Sequence, residues 1–345
     1  MTESTSKKRI RAWQWIFLLL LIAGTVYALN RSSSTVFYEN EGTVFGTVYH
    51  IKYRYDRDLQ ADIETELRRV DNSLSMFNPS SVISRVNRNE PVMVDTMFMQ
   101  VFRLSQEISS QTSGAFDITV APLVQAWGFG FEHASDVTPQ RLDSLKAFVG
   151  YQKVWLDGRR VMKADPRVML DCSAVAKGYG VDVVANLFRR LGIADYMVEI
   201  GGEVVVHGQN PDRKMWNIGV SRPVDDSLSQ DASASPQVVL EVTGRALATS
   251  GNYRRFYYRN GRKYAHTIDP KTGQPVQHSL LSASVLAPDC ATADAYATAF
   301  MVMGMERAKA VLQAHPELDA YFIYERYDGK TATWFTPGLK RHIRN

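Results

Sequence analysis

Hydrophobic and polar residues alternate between Thr43 and Tyr55, so this segment is predicted to form a β-strand. Beyond it, apolar residues recur every three or four positions in two stretches, which predicts two helices. The apolar positions are Leu59, Ile63, Leu67, Val70 and Leu74 in the first stretch and Met97, Val101, Leu104 and Ile108 in the second. Gly114 is expected to end the second helix.

After Lys153 the pattern changes to short apolar runs that are typical of strands. The predicted strands lie near residues 153–157, 167–171, 196–200, 203–207, 216–221, 237–242, 264–268, 281–287 and 319–324. One long helix, from about Val175 to Leu191, separates the second of these strands from the third.

A shorter helix is predicted from Ala293 to Met303, with Thr292 as its cap and Gly304 at its end. The polar stretch 224–236 is expected to be a surface loop. Because strands and helices are mixed without a regular βα alternation, the sequence predicts an α+β fold with mixed-sheet and helix layers.

The N-terminus has the pattern of an export signal. The apolar run Trp13–Leu29 is seventeen residues long, which is at the lower limit for crossing a bilayer. It follows four cations, Lys7, Lys8, Arg9 and Arg11, which favour a cytoplasmic N-terminus. We therefore expect residues 1–30 to be an uncleaved signal anchor, residues 31–36 a linker, and residues 37–345 one outward-facing domain. Cleavage after Ala28 is the alternative.

The composition excludes some classes of protein. A chain of 345 residues with 45% hydrophobic residues can bury a large core, so it is not a disordered protein. The net charge of +4 is small and much of the excess lies at the N-terminus, so nothing indicates a nucleic-acid-binding surface. Only Cys172 and Cys290 are present, which excludes a disulfide framework. We interpret both as small buried hydrophobic residues, with a single bridge between them as the alternative.

Asp294 and Thr298 place a carboxylate and a hydroxyl in the largely apolar stretch CATADAYATAF, residues 290–300. Because they are four residues apart, the two side chains lie on one face of the predicted helix. The simplest interpretation is that Asp294 faces the positive end of the helix dipole and Thr298 bonds back to a carbonyl. The alternative is that their oxygens bind a hard cation such as Mg²⁺.

Three further stretches place polar residues among apolar and small ones. They are SGAFDITVAPLVQAWGFG (113–130), DCSAVAKGYGVD (171–182) and YAHTIDPKTGQPV (264–276). Each polar residue has a plain structural explanation on its own. Asp117 can cap a helix, and Lys177 can be an ordinary solvated lysine. A lone histidine such as His266 is more often a hydrogen-bonded residue of a strand than a catalyst. Only the combination of these stretches is specific.

Together, the four stretches resemble the ApbE family, the FAD:protein FMN transferases, from about Val44 to Met303. GAFDITVAPLVQAWGFG resembles the family's GAFD-x-T-x-x-P-L-x-x-x-W-G-F-G segment, and DCSAVAKGYGVD resembles its D-L-G-x-x-A-K-G-Y-x-x-D segment. HTIDPKTGQPV resembles H-I-I-D-P-x-T-G-x-P, and ATADAYATAFMVMG resembles A-D-A-x-A-T-x-x-x-x-x-G. The resemblance implies the family's single catalytic domain, which is tunnelling-fold-like.

The resemblance also implies an activity. The enzyme would be Mg²⁺-dependent and would move the FMN half of FAD onto a Thr or Ser hydroxyl of another protein, releasing AMP. With the N-terminal segment, this implies an enzyme on the bacterial inner membrane that faces the periplasm and modifies an exported redox protein. One alternative is a hydrolase that splits FAD into FMN and AMP. A non-catalytic flavin carrier is disfavoured, because electron transfer needs neither a metal nor a base.

Individual residues acquire roles from the same resemblance. Asp294 and Thr298 would bind Mg²⁺ through their side chains, with main-chain oxygens of Ala174 and Ala297 as further ligands. His266 would be the general base, since the unperturbed pKa of histidine lies near working pH. The residues expected to contact FAD are Phe45, Phe77, Ala115, Phe116, Asp117, Asp171, Lys177 and, through its main chain, Ile268.

Four residues depart from the family pattern. Phe45 stands where relatives often have Met, and Phe77 stands where they have Tyr, so a large apolar surface is kept but a hydroxyl hydrogen bond is lost. Cys172 and Ser173 replace Leu and Gly without removing any proposed ligand. We expect these differences to change the affinity for FAD more than the type of reaction.

Overall fold

The computed structural model describes residues 15, 17–22, 35–129, 137–221, 237–252, 256–259 and 262–344. Its strands are β1 Val36–Val44, β2 Thr47–Tyr55, β3 Val154–Asp157, β4 Arg160–Lys163, β5 Tyr196–Ile200, β6 Glu203–His207, β7 Trp216–Val220, β8 Val238–Val242, β9 Arg245–Gly251, β10 Phe256–Arg259, β11 Arg262–Ala265, β12 Leu280–Ala287, β13 Asp319–Glu325 and β14 Thr331–Phe335. Eight of them form one central sheet in the order β1-β2-β5-β6-β9-β12-β13-β14, and all neighbouring pairs are antiparallel. The pairs β3-β4, β7-β8 and β10-β11 form separate hairpins.

The helices that follow the first hairpin are α1 Gln60–Leu74, α2 Val82–Asn87, α3 Thr96–Gln111, α4 Ala121–Ala126, α5 Pro139–Lys146, α6 Ala176–Arg190, α7 Cys290–Met303 and α8 Met305–Ala314. They do not alternate regularly with the strands. The prediction of mixed strands and helices in a single domain is therefore confirmed.

The two faces of the central sheet are covered by different elements. On β13, Ala320 and Phe322 pack into the core that contains α7, whereas Tyr321 and Ile323 pack against the β7-β8 hairpin. This alternation follows from the two-residue period of a strand. Helices α6 and α7 consequently lie side by side on the same face of the sheet, in mutual contact.

The predicted strand at 43–55 is instead a hairpin. Thr43 and Val44 end β1, and the chain reverses at Phe45 and Gly46 before β2 begins. Both turn residues have positive φ, 52° and 73°, as a tight two-residue hairpin turn requires. Glycine adopts this conformation without strain, but phenylalanine rarely does, so the alternating pattern concealed the turn.

The predicted strand at 167–171 is also wrong. Residues 168–172 have no regular secondary structure; Val168 and Leu170 are buried, but they pair with no strand among the described residues. The side-chain amide of Asn87 pairs with the backbone of Leu170 instead, accepting from its N–H and donating to its carbonyl at 2.8 Å each. The alternating apolar residues of this segment reflect burial of every second side chain, and the segment is not a strand of a sheet.

Helix α7 begins three residues earlier than predicted, at Cys290, and its cap is Asp289 instead of Thr292. The Asp289 carboxylate accepts a hydrogen bond from the N–H of Thr292 at 2.9 Å. Gly304 ends the helix, as predicted, with a φ of 74°. Cys172 and Cys290 are both buried and unpaired, which confirms their interpretation as small hydrophobic residues.

Two predicted segments lie mainly or wholly outside the described residues. They are most of the apolar run Trp13–Leu29 and the loop 224–236. Among the residues that the structure does describe, no helix combines the length and the apolar character needed to cross a membrane.

Glycine at position 178 allows the close contact between α6 and α7. A Cβ atom there would lie 2.3 Å from the carbonyl oxygen of Cys290 and 2.9 Å from the Cβ of Asp294. Two residues further along α6, a Cβ on Gly180 would lie 2.7 Å from the ring of Phe45. The first obstacle is mainly backbone, and the second is the edge of a side chain.

We expect Gly178→Ala to destabilise the protein by about 1–3 kcal/mol, because two packed helices must move apart. Gly180→Ala is the matched control and should cost less, since the ring of Phe45 can shift. Urea denaturation of both variants measures the difference. An equal or larger loss in Gly180→Ala would show that the helices do not depend on the small residue at 178.

Candidate active site

Asp182 connects the two helices that form the centre of the site. Its carboxylate, on α6, accepts hydrogen bonds from the N–H groups of Cys290 at 2.9 Å and Ala291 at 2.8 Å. These N–H groups belong to the first turn of α7 and have no partner within that helix. Burial, together with the nearby charge of Asp289, raises the pKa of Asp182 to about 7. Asp182 therefore holds the start of α7 against α6.

Asp294 lies one turn further along α7 and is 5% exposed. Its Oδ2 accepts a hydrogen bond from the N–H of Gly178 at 3.1 Å, and its Oδ1 lies 3.9 Å from the Nζ of Lys177. Asp294 thus faces α6, and its bonds to that helix are not explained by an interaction with its own helix dipole.

The carbonyl of Ala174 lies just before the first turn of α6. Ala174 precedes α6, which begins at Ala176, and the N–H of Gly178, in the first turn of that helix, has no acceptor within the helix and donates to Asp294. No described residue donates to the Ala174 oxygen. Ala297, the other proposed main-chain ligand, is fully buried inside α7, where its carbonyl belongs to the helical hydrogen-bond ladder.

The Thr298 hydroxyl is half-buried and makes no hydrogen bond with any described residue. Thr65 and Thr112, by contrast, each bond back to the carbonyl four residues earlier, at 2.7 Å. The simple interpretation of Thr298 predicted the same bond, and the structure does not contain it. Thr298 therefore has an oxygen to offer on the face of α7 that carries Asp294.

These donors fit Mg²⁺. A carboxylate, a hydroxyl and a main-chain carbonyl are all oxygen ligands, which is the set that this hard cation prefers. Within the described part of the chain, no group of three or more His, Cys, Asp or Glu side chains could hold a metal. A cation bound by Asp294 would therefore need neutral protein oxygens, or oxygens of a bound substrate, as its other ligands.

Lys177 and Glu203 complete this part of the site. The Nζ of Lys177 lies 2.7 Å from the Oε1 of Glu203, at the start of β6. Glu203 is 3% exposed, and its Oε2 has no hydrogen-bond partner among the described residues. Burial raises the pKa of Glu203 to about 7, against the opposing effect of Lys177. Burial by itself lowers the pKa of Lys177, but the charges of Asp294 and Glu203 outweigh it and raise that pKa.

Asp171 joins this group to the segment that precedes α4. Its N–H donates to the carbonyl of Ile118 at 2.7 Å, and its carboxylate accepts from the N–H of Ser173 at 2.7 Å. Burial raises the pKa of the Asp171 carboxyl. The stretches 113–130 and 171–182 are therefore in direct contact.

Asp117 is largely committed to local structure. Its carboxylate accepts from the N–H and the hydroxyl of Thr119, at 2.8 and 2.6 Å, and from the N–H of Tyr151 at 2.8 Å. Burial raises the pKa of this carboxyl. Asp117 therefore stabilises the local loop conformation. Ala115 and Phe116 beside it are also buried, and the contacts of all three residues with FAD stay a prediction.

His266 lies in a bend directly after β11, because that strand ends at Ala265 instead of continuing to 268. Its ring meets Phe129 edge to face at 6.4 Å. The chain then makes an isolated bridge between Ile268 and Pro275, with Ile268 buried. His266 thus stands outside the strand pairing, and its role as a base stays a prediction.

Trp127 attaches the His266 segment to α4. Its indole N–H donates to the carbonyl of Gly273 at 2.7 Å, and its ring stacks on Tyr264 at 5.5 Å. The stretches 113–130 and 264–276 are consequently held together. Since 113–130 also contacts 171–182, which packs on α7, all four stretches form one connected unit.

The two proposed aromatic contacts of FAD differ in exposure. Phe45, in the β1-β2 turn, is half-buried, and its ring packs over Gly180. Phe77, in the loop between α1 and α2, is 67% exposed. An exposed aromatic ring can stack on a flat ligand that arrives from solvent.

Comparison with known proteins decides the family, since the sequence profile described as the ApbE family matches residues 45–322. The chain belongs to the ApbE family. The family predicted from the four stretches is thereby confirmed. The match includes every residue that we propose for the site, from Phe45 to Thr298.

Relatives in the ApbE family are similar over most of their length. A Vibrio cholerae protein named FAD:protein FMN transferase is 38% identical over 299 residues, which is 84% of this chain and 87% of the relative. The FAD:protein FMN transferase of Escherichia coli K12 is 33% identical, over 88% of each chain. The flavin transferase ApbE of Vibrio cholerae has a similar structure, with a TM-score of 0.79 and 36% identity, covering 89% of this chain and 99% of the other.

Sequence reasoning missed two carboxylates of this ApbE-family site, Asp182 and Glu203. Glu203 had a signal, since it is a charged residue between Gly201-Gly202 and a run of valines, where a strand core needs apolar side chains. Asp182 closes the stretch DCSAVAKGYGVD, but only the structure reveals that it caps a helix more than one hundred residues away in sequence.

Proposed function

We propose that this chain is an FAD:protein FMN transferase that moves the FMN half of FAD onto a Thr or Ser hydroxyl of another protein and releases AMP. Family membership supports the class of reaction. The observation that carries the proposal is the group of oxygens around Asp294, in which the Thr298 hydroxyl and the Ala174 carbonyl form hydrogen bonds with no described residue. This group of oxygens suits a cation that accompanies a pyrophosphate.

In this reaction the acceptor oxygen attacks the phosphorus on the FMN side of the pyrophosphate, and the bond to the AMP phosphate breaks. His266 takes the proton of the acceptor hydroxyl as the new P–O bond forms. Lys177 offers its ammonium to the negatively charged phosphates of FAD. Asp294, Thr298, Ala174 and Ala297 would hold Mg²⁺ through oxygen atoms, and the chemistry it would supply is positive charge beside the phosphate oxygens.

The experiment is incubation of the soluble part, from about Arg31, with FAD, Mg²⁺ and candidate exported redox proteins. Chromatography of the products measures AMP and free FMN with and without each candidate. Transfer predicts AMP without an equal amount of free FMN, and only when an acceptor is present. Equal amounts of both products without an acceptor would identify an FAD hydrolase instead, and unchanged FAD would indicate a flavin carrier.

We further propose that residues 1–30 anchor the enzyme in the bacterial inner membrane, with the catalytic domain in the periplasm. The cationic flank and the apolar run Trp13–Leu29 support this proposal. Full-length protein should then sediment with membranes and resist carbonate extraction. A soluble mature protein that begins at Leu29 would show that the segment is a cleaved signal.

A further inference from the structure

Glu203, Lys177 and Asp294 form a row of three charged groups in which the lysine is bound unequally. Its ammonium lies 2.7 Å from the Oε1 of Glu203 but 3.9 Å from the Oδ1 of Asp294. Both carboxylates are at least nine-tenths buried. The short contact is a direct charge-assisted hydrogen bond, and the long one is not.

Strand pairing and a tight turn fix the backbone at Glu203. Glu203 begins β6 and pairs with Ile200 across the tight β5-β6 turn. The turn consists of Gly201 and Gly202, with φ of 63° and 101°, values that side-chain-bearing residues rarely adopt. The Glu203 side chain therefore projects from a well-defined backbone position, from which its Oε1 reaches the Nζ of Lys177 at 2.7 Å.

An ammonium close to Asp294 would compete with a divalent cation for the same oxygen. Two unit charges about 4 Å apart still attract each other strongly, because the effective dielectric of a protein site is lower than that of water. With Glu203 removed, the flexible side chain of Lys177 would have Asp294 as its remaining anionic partner. The direct bond to Glu203 thus keeps the Oδ1 of Asp294 available.

We propose that Glu203 is a positioning residue that holds the Lys177 ammonium away from Asp294 and so keeps the Asp294 carboxylate free to bind a divalent cation. The proposal rests on the function proposed above, because it takes Asp294 as a cation ligand. It assigns the unusual carboxylate at the start of β6 a role that neither FAD contact nor proton transfer requires.

The test is the affinity for Mn²⁺, a cation with similar oxygen ligands that is detected directly by electron paramagnetic resonance. Glu203→Gln, which keeps the shape but loses the charge, should weaken Mn²⁺ binding at least about fivefold. A crystal structure of this variant should place the Nζ of Lys177 within about 2.8 Å of the Oδ1 of Asp294. Glu203→Asp keeps the charge and should recover part of the affinity.

A double-mutant cycle identifies Lys177 as the intermediary. Lys177→Met alone should bind Mn²⁺ at least as tightly as the wild type, because the competing ammonium is gone. Adding Glu203→Gln to Lys177→Met should then change the affinity by less than about twofold. If Glu203→Gln does not fold, weaker Mn²⁺ binding by Lys177→Met alone overturns the proposal.

The exposed pair Glu306 and Lys309 on α8, with an N–O distance of 2.9 Å, provides the matched control. Glu306→Gln should leave Mn²⁺ affinity unchanged. Unchanged affinity in a folded Glu203→Gln would overturn the positioning role even if the wild type transfers FMN. A wild type that binds Mn²⁺ but neither cleaves FAD nor transfers FMN would contradict the proposed function alone.

Discussion

Replacing Asp294 should abolish Mg²⁺-dependent turnover, with a loss of at least about 10³-fold, because a metal that neutralises phosphate charge contributes several kcal/mol to the transition state. Asp294 supplies the formal negative charge among the proposed ligands. Asp294→Ala also removes the acceptor of the Gly178 N–H, which costs about 1–3 kcal/mol of stability when that group stays buried. Activity assays should therefore be paired with thermal denaturation.

Asp294→Asn separates the two effects, since its amide oxygen can still accept from Gly178 while the charge is lost. We expect it to be folded and inactive. Thr298→Val, which removes the hydroxyl at nearly constant volume, should raise the Mg²⁺ concentration needed for activity with little loss of stability, because that hydroxyl bonds to no described residue. A folded and fully active Asp294→Asn would exclude Asp294 from the site.

Replacing His266 should slow transfer by about 10²–10⁴-fold and leave FAD binding nearly unchanged, since a general base acts in the transition state and not in the ground-state complex. Titration with FAD, followed by flavin fluorescence, measures binding. Single-turnover release of AMP at the same pH measures the rate. The histidine lies in a bend directly after β11, and its ring contacts Phe129 edge to face at 6.4 Å.

His278 is the matched control for a structural histidine. Its Nε2 bonds to the carbonyl of Met301 near the end of α7 at 2.8 Å, and burial lowers the pKa of its ring. His278→Ala should lower the melting temperature without a selective loss of rate. If His266→Ala behaves like His278→Ala, or fails only because it no longer binds FAD, the base must be sought elsewhere. Asp171 and Asp269 would be the nearest candidates.

Local hydrophobic patterns predicted the elements whose buried face is a regular row of large apolar residues. Strands β5 and β6 lie where the apolar runs placed them, and α6 differs from its predicted bounds by one residue at each end. The hairpin turn at Phe45 was not predicted, because nothing in the sequence indicates that a phenylalanine adopts a positive φ. Strand β9 was not predicted either. One of its faces carries the small residues Ala246 and Ala248 and the other carries Leu247, so its hydrophobic pattern is weak.

The chemistry of the site was predicted only in part, because it depends on contacts between distant segments. The spacing of Asp294 and Thr298 indicated a shared helix face, but not that Asp294 would accept a hydrogen bond from the Gly178 N–H in the first turn of α6. Nor does any local pattern pair Lys177 with Glu203 across a helix and a strand. Such pairs are produced by the packing of α6 against the sheet and α7.

The proposed enzyme attaches FMN covalently to another protein. Intact-mass spectrometry of a candidate acceptor, after incubation with the enzyme, FAD and Mg²⁺, tests it most directly. We expect the acceptor to gain the mass of one FMN group on a Thr or Ser, together with an equal amount of AMP, and we expect no gain with Asp294→Asn. Release of AMP and free FMN with every acceptor left at its original mass would contradict the account.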